Sequence, residues 1–157
     1  MGKKDVHNGM ASGISILGLY FKSAADNLGQ EKALDLYEKV GESFGAGNAQ
    51  SWKEKFQGRT PTTKELRDTL SSMYKGMGFE FSIRAGKQKV TNKISRCPFY
   101  DGLALAGLDH ETIHSMCVRA SRGEERALKA AFPELDVFAE PRGYPDGVCI
   151  EGDKIKS

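Results

Sequence analysis

The sequence predicts an α+β fold, a helical N-terminal half followed by a ββ-ααα-ββ half with a small antiparallel sheet. Three observations predict it. Apolar residues recur at helical spacing as far as Met77, and from Gly78 their period drops to two. Clusters of Gly, Pro and Asp then cut the second half into short elements.

Taken in order, residues 1–11 are polar and read as a flexible tail with His7 in solvent, leaving 12–157 as one α+β domain with a C-terminal Cys/His cluster. Ile14, Leu17, Phe21, Ala25 and Leu28 form a helical stripe that Gly29 ends. A second helix opens near Glu31 with Ala33, Tyr37, Val40 and Phe44 on one face, and the run from Gly45 to Gly47 closes it. Trp52 and Phe56 mark a short third segment. Thr60 as N-cap and Pro61 in the first turn start another helix, with Leu66, Leu70, Met73 and Met77 on its apolar face.

Phe79, Phe81 and Ile83 then alternate with Glu80, Ser82 and Arg84 as a half-buried strand. Ala85, Gly86 and Lys87 turn the chain into a partner strand over 90–96. Pro98 starts a helix that Gly107 stops, and Asp109 caps the next, which carries Ile113, His114 and Cys117. A third helix over 124–131 breaks at Phe132 and Pro133. Residues 135–140 and 148–155 read as a closing hairpin joined by the turn-rich run 141–147.

A chain of 157 residues can bury a core without disulfide staples. Its 23 basic and 21 acidic residues are interspersed, so no basic stripe for nucleic acid is present. The most apolar run, 14–21, is too short to span a bilayer, and Asp5 interrupts the basic start that Lys3 and Lys4 give to a signal-peptide-like beginning. Three cysteines leave at least one thiol unpaired, which points to a reducing, cytoplasmic setting. Gly41, Gly45 and Gly47 make no dinucleotide fingerprint. Trp52, Phe56, Met73 and Met77 suit a core or pocket wall, and His110 an exposed first helical turn. Arg119, Arg122 and Arg126 read as a solvated helix face. The expected partner is a small molecule, with a second copy of the chain docking through the helices as the other expectation.

The candidate chemical centre is Cys97, His114, Cys117 and Cys149, since thiolates and an imidazole are the ligands zinc or iron selects. His114 and Cys117 project from adjacent turns of one helix. Cys97 stands where a strand hands over to a helix, and Cys149 on the last strand. The spacing Cys-x16-His-x2-Cys-x31-Cys matches no zinc finger or ribbon. Two other readings stay open. The cysteines can be small buried hydrophobes. Alternatively Cys97, with a pKa lowered by the helix terminus, is a nucleophile served by His114 as base and by Asp101 one turn on.

The order Cys97-Pro98-Phe99-Tyr100-Asp101, Gly107-Leu108-Asp109, His114-Ser115-Met116-Cys117, Phe132-Pro133-Glu134-Leu135 and Gly147-Val148-Cys149 resembles the L-2-amino-thiazoline-4-carboxylic acid hydrolase-like family. The segment from Leu34 to Gly41 fits as well, so the resemblance runs from about residue 12. The chain is more distantly similar to 4-vinyl reductase-type small-molecule-binding domains, which share the fold of TRAPP-type tethering subunits. That likeness maps Cys97, His114, Cys117 and Cys149 onto zinc-ligand positions, with His114 where an acidic ligand stands. Together the resemblances imply a zinc-binding small-molecule domain. In an enzymatic form, a possible C–N hydrolase, a zinc-bound hydroxide attacks the C=N carbon of a small cyclic amidine while Asp101 or Glu111 handles protons. The alternatives are a non-catalytic sensor with a structural metal, and an iron or iron–sulfur redox protein.

Overall fold

The structure is a computed structural model that describes residues 2–141 and 147–156. Helices α1 (Lys3–Leu28), α2 (Gln30–Lys55) and α3 (Thr63–Gly76) precede strands β1 (Glu80–Ala85) and β2 (Lys89–Arg96). Helices α4 (Pro98–Leu105) and α5 (His110–Ala131) follow, then strands β3 (Leu135–Glu140) and β4 (Cys149–Ile155). The α+β reading holds at this level, with N-terminal helices and one four-stranded antiparallel sheet ordered β1-β2-β4-β3.

Local chemistry accounts for most boundaries. Gly29 joins α1 to α2 at φ +88°, a conformation that a side chain disfavours. Thr62 caps α3 by accepting from the Glu65 amide while Glu65 returns a bond to the Thr62 amide. That capping box contributes about 1 kcal/mol and places the helix start two residues beyond the Thr60 expected to cap it. Pro98 occupies the first turn of α4, and Asp109 caps α5.

Three expected elements are redrawn by tertiary contact. Helix α1 begins at Lys3, so the expected tail is its first turns, and His7 is 3 % exposed. The His7 imidazole is held by the Gly78 carbonyl at 2.8 Å and Asp101 at 2.7 Å. Helix α2 runs through Gly45 and Gly47 to include Trp52. Helix α5 continues through Gly123, so the second half is ββ-αα-ββ. Of the turn expected over 141–147, residues 142–146 lie outside the described residues.

The core has two parts. Trp52, Phe56, Leu66, Leu70, Phe132 and Leu135 pack between helices and sheet, while Phe21, Leu34, Tyr37, Leu103, Ile113 and Met116 join α1, α2, α4 and α5. Each fully buried large side chain contributes about 2 kcal/mol. Among the described residues no helix is long and apolar enough to cross a membrane.

Candidate functional site

Glycine sets the geometry of the site. A methyl group on Gly41 would overlap the Ala120 backbone, and one on Gly123 the backbone of Glu38 and Glu42. One on Gly45 would lie 2.7 Å from Glu124 Cα. These residues let α2 and α5 cross at backbone contact, which is why neither helix breaks at its glycines. Arg119 bridges Glu31, Asp35 and Glu38, and Arg126 reaches Glu38 and Glu42, so two arginines expected on a solvated face clamp the crossing. The crossed pair, α3 and one face of the sheet enclose a cleft with two parts.

The apolar part, about 200 Å³, is walled by Tyr37, Val40 and Phe44 of α2, by Met73 and Met77, and by Phe79 and Phe99. Cys97, Cys117 and Cys149 all border it, so the convergence of three elements read from the sequence is real. His114 stands exposed at its mouth, its ring stacked on His110 with centroids 6.5 Å apart. Tyr100 and His110 join there through a 2.8 Å hydrogen bond.

The chemistry expected of this convergence is overturned. Among the described residues no group of three or more His, Cys, Asp or Glu side chains is placed to hold a metal ion, so the zinc, iron and iron–sulfur expectations for Cys97, His114, Cys117 and Cys149 are withdrawn. The reason is geometric: the three thiols border one cavity from separate elements without converging on a point, and His114 stands exposed at its mouth. Burial pushes the Cys117 thiol up to about 12, helped by Cys149 and Glu151. Burial also holds Cys97 well above the ordinary thiol range, outweighing the backbone amides of Tyr100 and Phe99 that favour its thiolate. A nucleophile must be a thiolate, and burial favours the neutral thiol at Cys97 and Cys117. None of the three cysteines forms a disulfide.

The polar part, about 320 Å³, was not foreseen. Antiparallel register sets Val90 opposite Asp153, Asn92 opposite Glu151 and Ile94 opposite Cys149, so these six side chains share the inner face of the sheet. Glu124 reaches the same place from α5. Met73, Tyr74, Ser121, Glu124, Pro141 and Glu151 line both parts, so the two cavities adjoin along these side chains. Asn92 donates to the Tyr74 hydroxyl at 3.4 Å, Tyr74 donates to Glu151 at 2.8 Å, and Asn48 donates to Glu124 at 3.1 Å.

Burial, with repulsion from Glu151, raises Glu124 to about 7. Asp153 is also raised to about 7, by burial and then by Glu124 and Glu151. Glu151 is raised by burial against the opposing Tyr74 bond. None of the three carboxylates meets a cation among the described residues.

Of the carboxylates expected to move protons, Asp101 accepts from Arg96 at 3.3 Å and is engaged by His7. Glu111 is exposed in the first turn of α5. Neither borders the cleft. The signal for the residues that do was the alternation Cys149, Glu151, Asp153, Ile155. Period two puts those acids on whichever face carries the cysteine.

The model of the L-2-amino-thiazoline-4-carboxylic acid hydrolase family matches residues 9–130. The chain belongs to that family. No curated protein and no solved structure gives a match, and nothing supports the likeness to 4-vinyl reductase-type domains or TRAPP subunits. Within this hydrolase-family chain the matched stretch carries Tyr74, Asn92, Cys97, Cys117 and Glu124. Cys149, Glu151 and Asp153 come from β4, beyond the match.

Proposed function

We propose that this chain binds a small cyclic amidine of the kind its family name describes and hydrolyses it in the cleft, with Glu124 as the proton-handling residue. The observation that carries the reading is the position of Glu124. It lies where the apolar and polar parts meet, and its carboxyl is poised near neutrality. A group half-protonated at working pH serves as both base and acid in one cycle.

For a 2-amino-thiazoline ring the steps balance as follows. Water attacks the carbon of the C=N bond and yields a proton to the Glu124 carboxylate, which passes it to the ring nitrogen. The ring C–S bond then breaks, the added hydroxyl becomes the carbonyl of a urea, and its proton passes to the leaving sulfur. Counted from the neutral amidine, the nitrogen and the sulfur each end with one hydrogen of the water. Asn48 holds Glu124 in place, and the apolar wall excludes bulk water from the ring. Arg122, on the exposed side of the polar part, faces the position a ring carboxylate would take.

The test is release of a titratable thiol from L-2-amino-thiazoline-4-carboxylate. Glu124→Gln keeps the shape of the side chain and lowers kcat by about a hundredfold or more, with KM little changed. Thiol release at the wild-type rate in that variant, or none from the wild type, overturns the reading.

A further inference from the structure

Away from Arg122 on its exposed side, the polar end of the cleft gathers hydrogen-bond acceptors on its floor. Glu124, Glu151 and Asp153 border it, and among the described residues no lysine, arginine or histidine pairs with any of them. Asn92, 1 % exposed, adds a further acceptor. Its Oδ1 is the buried side-chain atom without a hydrogen-bond partner among the described residues. The orientation of that amide follows from its neighbours. The Tyr74 hydroxyl spends its proton on Glu151, so its oxygen accepts from Asn92 Nδ2. Oδ1 is therefore the amide atom left without a donor, on a residue that lines the cavity, and an acceptor buried without a donor is costly.

We infer that Asn92, Glu151 and Asp153 form a recognition subsite for a flat organic cation rich in N–H groups, an amidinium or a guanidinium. Only such a group supplies several donors and a positive charge in one plane, matching an amide oxygen and two carboxylates set across neighbouring strands. Beside Glu151 and Asp153, away from Arg122, a carboxylate or phosphate group would meet like charge, and a neutral amide would bring fewer donors and no charge. The inference rests on the hydrolytic reading for the place of the ligand, and not for the reaction. It assigns specificity to three residues, two of which lie outside the stretch that defines the family.

The experiment is direct binding of benzamidine to the whole chain at pH 7.5, by calorimetry and thermal shift, beside benzamide and benzoate as neutral and anionic counterparts of the same shape. Benzamidine is expected to bind at least about tenfold more tightly than either counterpart, since charge-assisted bonds are roughly twice as strong as neutral ones. Asn92→Leu and Glu151→Gln are each expected to weaken it about tenfold or more. Equal binding of benzamidine and benzamide to the wild type overturns the inference without recourse to any variant, as does benzamidine affinity unchanged in both variants. Thiol release from the thiazoline separates the two proposals. Turnover without preference for benzamidine leaves the hydrolase reading standing and removes the subsite, whereas preference without turnover does the reverse.

Discussion

Replacing Asp153 by Asn should flatten the dependence of stability on pH. Asp153 is 3 % exposed and its carboxyl is raised from 3.8 to about 7 by burial and by Glu124 and Glu151. Below about pH 4 the group is protonated in both the folded and the unfolded chain, and it exacts no penalty. As pH rises toward 7 the unfolded chain gives up this proton while the folded chain retains it, so the unfolded state gains. Stability present in acid is thus lost between about pH 4 and pH 7, the opposite of a salt-bridged aspartate. Three pKa units at 1.36 kcal/mol each come to about 4 kcal/mol. The share due to Glu124 and Glu151 reappears in their own titration and reduces the effect of removing Asp153 alone. With a urea slope of about 2 kcal/mol per molar, the wild-type midpoint should fall by up to about 2 M from pH 4.5 to pH 8. Urea melts of both proteins at pH 4.5, 6 and 8 test this, with Asp153→Asn gaining on the wild type as pH rises. A constant difference between the two proteins across that range would refute the electrostatic account of the cleft floor.

The other predictions concern the walls. Gly41→Ala drives a methyl group into the Ala120 backbone, and it should cost about 2 kcal/mol or more in denaturant melts and weaken any ligand of the cleft. His7→Ala removes two hydrogen bonds of a buried imidazole, to the Gly78 carbonyl and to the partly buried Asp101, and should cost about 2–3 kcal/mol. A loss under 0.5 kcal/mol, within the scatter of surface substitutions at about that size, would return the N-terminal turns of α1 to a peripheral role. With Cys117 at about 12, roughly one Cys117 thiol in ten thousand is ionised at pH 8, so alkylation at Cys117, followed by peptide mapping, should be several-hundredfold or more slower in the native chain than in the urea-unfolded chain. Chelators should leave that rate and the melting temperature unchanged.

The sheet was legible because its alternation is local: Phe79 to Arg84 and Val90 to Arg96 declare their faces residue by residue. The helices were legible where apolar periodicity was strong, and misread where glycine intervened. Gly45 and Gly123 lower intrinsic helix propensity, yet each sits against the backbone of the opposite helix, and that contact overrides the local preference. The same contact was invisible in the sequence because its two sides are far apart along the chain. His7 was misplaced for a related reason, since a histidine in a polar stretch gives no local sign of the glycine carbonyl and carboxylate that receive it. The cysteines show a different limit. Their meeting at one cavity followed from the order of elements, but whether they meet as thiolates or thiols depends on Tyr37, Phe99 and the other apolar walls around them. The acids of β4 were passed over because charge on a strand ordinarily marks its outer face. Here the inner face carries the charge, as buried acidic groups do at functional sites.

Strand β4, which follows β3 along the chain, lies between β2 and β3 in the finished sheet. Until it inserts, β2 and β3 each present an unpaired edge open to other chains. Insertion closes both edges and in the same motion lays Cys149, Glu151 and Asp153 against the walls formed by α2, α3 and α5. Assembly of the pocket and completion of the sheet are therefore one event. A ligand that gathers the acids of β4 would act as a clasp on the C-terminal strand, slowing its release and with it proteolysis from that end.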